Sequence, residues 1–313
     1  MRSGIQSREA THGILFASNP RKPTSMKKIL TLAFALISAV SFAQTTKTGN
    51  YHVDENYKVT AKGTIRLSCS DAKVFITGSD RTDVNVKIDR EVEQKGFSFG
   101  TQEFTVNIKE DNGGLTIRER SNTSQVGIVG SYNERYTIKI SAPKGVSLIL
   151  NGDDGDYFID HIDGAIDADL DDADVELTAC NGEDFRFKID DGDVKMDQAK
   201  GSLEVDGDDS NINIRNAQLT HISAEIDDGD FIVETSLADN GDYYINTQDG
   251  RIAFTVLSGG GRFDIRHDDA SIRTDASFSS VEESEDRSRF TLASGNAKVD
   301  IRADDASVKL SKR

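Results

Sequence analysis

The chain has no tryptophan, three prolines and two cysteines in 313 residues. Two thiols in a chain of this length do not build a disulfide scaffold. No proline-rich stretch separates the chain into halves, which favours one continuous domain over two. Cationic residues are scarce as well, 37 Lys and Arg against 54 Asp and Glu, for a net charge of −17. A surface of that sign repels phosphate backbones, so nucleic acid is excluded as a partner and an anionic membrane surface is hardly better. Apolar runs of spanning length are missing too. The longest, 29–43, falls short of the roughly 20 residues a transmembrane helix needs.

That run belongs to KKILTLAFALISAVSFA at 27–43, where two lysines precede an apolar stretch ending in Ser41-Phe42-Ala43. A basic start, an apolar middle and a small-x-small end are the marks of a secretory signal peptide, read here as 26–43. The mature chain then begins at Gln44, and the 25 residues ahead of Met26 read as an upstream-start artefact. The expected location is periplasmic or extracellular, at the cell surface. Without 1–43 the chain keeps 31 basic and 53 acidic side chains, a net of −22. The residue directly after the cleavage site is Gln44 and not cysteine, so lipidation there is not available.

The rest is repetitive. DDGDYFI at 153, DDADVEL at 171, DDGDVKM at 190 and DDGDFIV at 227 are one phrase. Its second acid recurs at Asp154, Asp172, Asp191, Asp209, Asp228, Asp249, Asp269 and Asp305, in steps of 18, 19, 18, 19, 21, 20 and 36. The last step is about two periods, which places one degenerate repeat between, through SEDRSRFTL. A fixed period near 20 marks a solenoid, whose units bury their apolar faces only against neighbours. Within a period apolar residues alternate: Val175 and Leu177, then Phe185, Phe187 and Ile189, then Val194 and Met196. Alternation means strand, and helical spacing is absent. The fold class predicted is all-β, a right-handed parallel β-helix (β-solenoid) with about 18–21 residues per coil. An antiparallel sandwich also uses short strands, but gives no reason for one turn phrase at one period.

Regular repeats occupy 151–313. SDAKVFI at 70–76 fits the same phrase, so 44–150 reads as irregular coils continuous with them. EFTVNIKEDNGGLTIRER reads as a hairpin through DNGG. Residues 91–100 and 121–133 read as loops. At each corner the Asp is expected to accept hydrogen bonds from backbone N–H groups one or two residues on. The next position is always Gly, Ala or Ser. Alanine is rare where φ is positive, so exclusion of bulk is the reading there.

Few constellations carry chemistry. GFSFG at 96–100 matches the nucleophile elbow around Ser98, but a strand follows it instead of a helix. His161, His221 and His267 fall at different points of the period with no ligand beside them, which argues against zinc. DADLDDAD at 167–174 lacks the glycine and glutamate of an EF-hand. Calcium shared between repeats would use Asp154, Asp172, Asp191, Asp209 and Asp228; the preferred reading of these acids is turn formation and solvation, with no cofactor. Lys195, Arg215, Arg251 and Arg273 are outward by parity. Cys69 and Cys180 lie several repeats apart, beyond the roughly 7 Å that a bridge allows.

YTIKISAPKGVSLILNGDDGDYFI at 136–159 joins a strand, Pro143-Lys144-Gly145, a second strand and a small acidic turn phrase that opens two-strand repeats. This order resembles the bacterial "putative adhesin" family, a β-strand-repeat domain of unknown function. The resemblance covers roughly 57–313 and implies an exported, non-enzymatic β-solenoid of the cell envelope, with no catalytic residues to carry over. Family repeats carry Ser/Thr-Gly-Asp where this chain has Asp-Gly-Asp or Asp-Ala-Asp. The function read is thus structural or binding, toward an envelope protein or glycan. The alternative is a carbohydrate-active parallel β-helix enzyme, a polysaccharide lyase or hydrolase.

Overall fold

Alternation of apolar and polar residues is realised as strand throughout. The computed structural model describes residues 49–293 and 295–313, and the described residues contain no helix. The leader at 1–25 and the signal segment at 26–43 lie outside the described residues. The strands are β1 (Tyr51–Tyr57), β2 (Thr64–Cys69), β3 (Ala72–Ser79), β4 (Val84–Asp111), β5 (Gly114–Pro143), β6 (Ser147–Gly152), β7 (Gly155–Asp160) and β8 (Ile166–Thr178). They continue with β9 (Asp184–Asp197), β10 (Lys200–Thr235), β11 (Asp242–Val256), β12 (Gly261–His267), β13 (Ser271–Thr274), β14 (Phe278–Glu283), β15 (Arg287–Leu292) and β16 (Ala297–Lys312). All sixteen are hydrogen-bonded into one sheet.

Parallel pairing in strict register makes the repeat visible. Asp172 pairs with Asp191, Asp191 with Asp209, and Asp228 with Asp249. Each long strand turns at the acidic phrase, so its halves join different ladders: the first half of β8 continues β6, the second continues β7. Inward side chains of the two ladders meet in one core. Val175, Leu177, Phe185, Phe187, Ile189, Val194 and Met196 are all buried, as their alternation predicts. Phe187 stands between Ala168 and Val205 in register. Tyr243 on the first ladder meets Phe254 on the second edge-on at 6.1 Å.

Chain order and spatial order part at both ends. β16 lies between β11 and β12, so Asp249 pairs with Asp305. The segment SEDRSRFTL is not a degenerate repeat between them: β15 pairs antiparallel with β12 and β14, outside the parallel ladder. Such a hairpin covers an otherwise open sheet edge, and Phe278 and Phe290 on it close the core, with Phe278 edge-on to Phe263 at 5.1 Å. At the other end β2 lies between β5 and β6, while β3 lies between β5 and β7. Ala72 pairs with Gly155, so SDAKVFI does hold the repeat position.

The DNGG hairpin is present. Asp111 pairs with Gly114 across Asn112 (φ 48°) and Gly113 (φ 79°), a two-residue turn with both central residues left-handed. The flanking stretches are not loops. β4 and β5 pair antiparallel through Lys95 with Ser131 and Phe99 with Gly127. Backbone hydrogen bonds alone can extend such a ribbon, so the alternation that marks a half-buried strand is not required there. At its base Arg90 is buried, bonded through Nε to Glu134 Oε1 at 2.5 Å and lying 4.2 Å from the Phe104 ring centroid.

Candidate functional site: acidic corners and outward faces

The register brings the five calcium candidates onto one edge. Asp172, Asp191 and Asp209 are direct neighbours, Gly155 beside Ala173 places Asp154 next to Asp172, and Asp228 continues through Asp249 to Asp305. Neighbouring strands lie about 4.8 Å apart, so the carboxylates form a ladder. Among the described residues no three His, Cys, Asp or Glu side chains converge into a group that could hold a metal ion. Exposed carboxylates this close disfavour each other's charge. Desolvation at the crowded corner, then Asp191 and Asp154, hold the Asp172 carboxyl above its usual range. Asp228 is raised in the same way by desolvation, Asp249 and Asp209, and Asp71 by desolvation and Asp154.

The small residue beside each acid has two backbone solutions. Gly155, Gly192, Gly229 and Gly250 take φ of 153°, 140°, 143° and 120°, so these four corners do use a positive φ, which the sequence reading did not expect. Ala173, Ser210 and Ala306 occupy the same column without it. Crowding is nonetheless real: a Cβ on Gly192 would fall 2.2 Å from the Ala173 carbonyl oxygen, and one on Gly229 the same distance from that of Ser210. The turn hydrogen bonds also differ from expectation, since they join repeats. The Asp193 N–H donates to Asp174 Oδ1 and the Asp230 N–H to Asn211 Oδ1, each at 3.0 Å. These acceptors are the residues after the small one, because their side chains point along the stack.

A cleft of about 710 Å³ opens where this edge meets the base of the β4–β5 ribbon, lined by Asp71, Asp156, Asp172, Asp174 and Asp191 with Lys73 and Arg135. The two cations are engaged. Lys73 pairs with Asp156 at 3.4 Å and lies 4.8 Å from the Phe158 ring centroid; Arg135 pairs with Glu91 at 3.1 Å. The sequence carried no signal for Arg135 here, because only the fold brings β5 beside β3.

The remaining candidates are dispersed. The Ser98 backbone lies in β4 opposite Ile128, with no strand-to-helix elbow. His161 pairs with Asp160 at 2.7 Å, His267 bonds Ser288 at 3.1 Å, and His221 is exposed on β10. Lys195, Arg215, Arg251 and Arg273 are exposed, as parity predicts. Cys69 and Cys180 are buried and free. Burial pushes the Cys69 thiol up to about 12, against a hydrogen bond with Tyr157, and the Cys180 thiol up to about 11.

The Toastrack DUF4097 family model matches residues 50–311. No curated protein matches. Among solved structures, a "putative adhesin" from Bacteroides fragilis is 14% identical with a TM-score of 0.41, covering 85% of this chain and 99% of that one. A "putative cell adhesion protein" from Clostridium sporogenes is 11% identical, with a TM-score of 0.30 and coverage of 84% and 100%. A "putative adhesin" from Parabacteroides merdae is 10% identical, with a TM-score of 0.32 and coverage of 83% and 95%. With the match running from the first described strand almost to the last residue, the chain belongs to the Toastrack DUF4097 family.

Proposed function

We propose that the protein is an exported, non-enzymatic, adhesin-like component of the bacterial envelope, which binds a protein or glycan through the outward faces of its strands. The repeats wind as a right-handed parallel β-helix of about 18–21 residues per coil, continuous from the irregular part at 44–150 into 151–313. The signal peptide is 26–43, with 1–25 ahead of its start. One observation supports this above others: the acids form columns that run far beyond any cleft. A lyase or hydrolase on such a scaffold needs its acids gathered once, with a free base among them. The large cleft is the feature that favours this second reading, yet its aspartates are members of the same columns, its Glu134 is bonded to Arg90, and its Lys73 and Arg135 are ion-paired. We read the acids of the ladder, Asp154 to Asp228 included, as turn-forming and solubilising, with no bound calcium.

The test is expression of the full chain in a bacterium, N-terminal sequencing of the product, and assay of its retention on isolated envelope and its activity on polysaccharides. A start at Gln44, retention on envelope and no new reducing ends or unsaturated uronates are expected. A cytoplasmic product keeping residues 1–43, or turnover abolished by Asp172→Asn, overturns the reading.

A further inference from the structure

On β9 to β11 of this acidic stack, cations such as Arg186, Lys188 and Arg251 stand opposite carboxylates. Arg186 lies between Asp167 and Glu204 and pairs with both, and Arg251 pairs with Asp230 beside it. On the first-ladder strands of the C-terminal repeats the pattern inverts. Arg266 stands directly opposite Arg302, and Arg262 opposite Lys298. All four are exposed, and among the described residues none of the four side chains makes a hydrogen bond or a salt bridge. A third like pair, Arg273 opposite Lys309, lies on the other strand of the same repeats. Like charges directly opposite destabilise a sheet, and here only Asp264 and Asp300, set between the two cation pairs, offset the four positive charges, so excess positive charge is left at a cost in stability. A bound anion would relieve that cost.

The surroundings specify the anion. A cleft of about 190 Å³ is lined by Arg266, Arg302, Tyr244, Asp264 and Asp300. At about 30 Å³ per water this is room for roughly six waters, the scale of one sugar ring. Arg302 lies 5.5 Å from the Tyr244 ring centroid. Asp264 is held by Arg287, with Nε donating to Oδ1 at 2.8 Å, while among the described residues the Asp300 carboxylate accepts no hydrogen bond, which leaves it to accept from hydroxyls. A second cleft, about 290 Å³, shares Asp264 and Asp300 and adds Arg262 and Lys298. Four residues separate the two cation pairs along each strand, about 13 Å at 3.3 Å per residue. A dianionic phosphate offers Asp300 no donor, whereas a carboxylated sugar brings a carboxylate to the arginines and several hydroxyls to the acid on one rigid ring.

We infer that the outward face of β11, β16 and β12 binds a uronic-acid-containing glycan, with one carboxylate on Arg266 and Arg302 and a sugar hydroxyl on Asp300. This rests on the binding reading above and adds the site and the ligand class. The test is calorimetric titration of the full chain with trigalacturonic acid, its methyl ester, hexaglutamate and sodium phosphate, beside the envelope-retention assay. Saturable binding of the trigalacturonate alone is expected, weakened at least tenfold in the Arg266→Ser, Arg302→Ser double variant and unchanged in Arg215→Ser. The double variant should melt no lower than the parent, because it removes a like-charged pair. Equal binding of hexaglutamate or phosphate shows a generic anion site and overturns the assignment, as does unchanged affinity in the double variant. Absence of trigalacturonate binding with envelope retention intact overturns this inference alone; loss of both overturns the binding reading as well.

Discussion

Replacing Phe187 with Asp tests the register on which every other statement depends. The ring is buried between Ala168 and Val205, so losing it costs about 3–5 kcal/mol in contacts and cavity. The new carboxylate has no partner in that interior, which adds a few kcal/mol or forces it to protonate. A total of roughly 6 kcal/mol, at about 2–4 °C of melting temperature per kcal/mol, lowers the midpoint by about 12–24 °C. Arg186→Asp, one residue away, is the control, and parity alone would make it neutral. The structure makes it mildly costly, since the guanidinium pairs with Glu204 at 2.9 Å, Asp184 at 3.0 Å and Asp167 at 3.7 Å. Exposed pairs contribute at most a few tenths of a kcal/mol each, so a loss of about 1 kcal/mol, near 3 °C, is expected. Circular-dichroism melts at neutral pH compare the two variants directly. Equal midpoints would refute the assignment of inward and outward faces.

Gly192→Ala should cost about 2–4 kcal/mol, since its Cβ meets the Ala173 carbonyl at φ 140°, whereas Ala173→Gly should cost under about 1; similar melts would show that the corner is not crowded. Stability should rise as pH falls from 7 toward about 4, because Asp71, Asp172 and Asp228 bind protons more tightly folded than unfolded. It should fall below about 3.8, where Asp193, Asp264 and Asp275, lowered respectively by Lys195, Arg287 and the Lys312 N–H, are protonated. Melts at constant ionic strength that decline steadily from pH 7 would contradict this. Millimolar calcium should move the melt by less than about 3 °C and magnesium equally; a larger calcium-selective rise lost in Asp191→Asn would make the acidic edge a metal site. Cys69 and Cys180 should give an intact mass without the two-proton loss of a bridge and react with alkylating agents only after unfolding.

The all-β class and the face of each strand in the regular repeats were legible in the sequence, because a period of two within a period near 20 leaves one way to bury Val175, Phe187 or Phe254. The column of acids was legible for the same reason, since equal spacing becomes direct contact once repeats stack in register. Spatial order at the two ends was not. Spacing along the chain orders repeats only by sequence, while hydrogen bonding placed β16 between β11 and β12 and β2 between β5 and β6. Left-handed turns at His161, Ala179, Gln198 and Asn216 were equally hidden: alanine and glutamine give no such signal, and the ladder hydrogen bonds of the stack hold the backbone there. The cations Arg266 and Arg302 stand 36 positions apart in the chain, and only tertiary register, which sets charge against charge across about 4.8 Å, makes them neighbours.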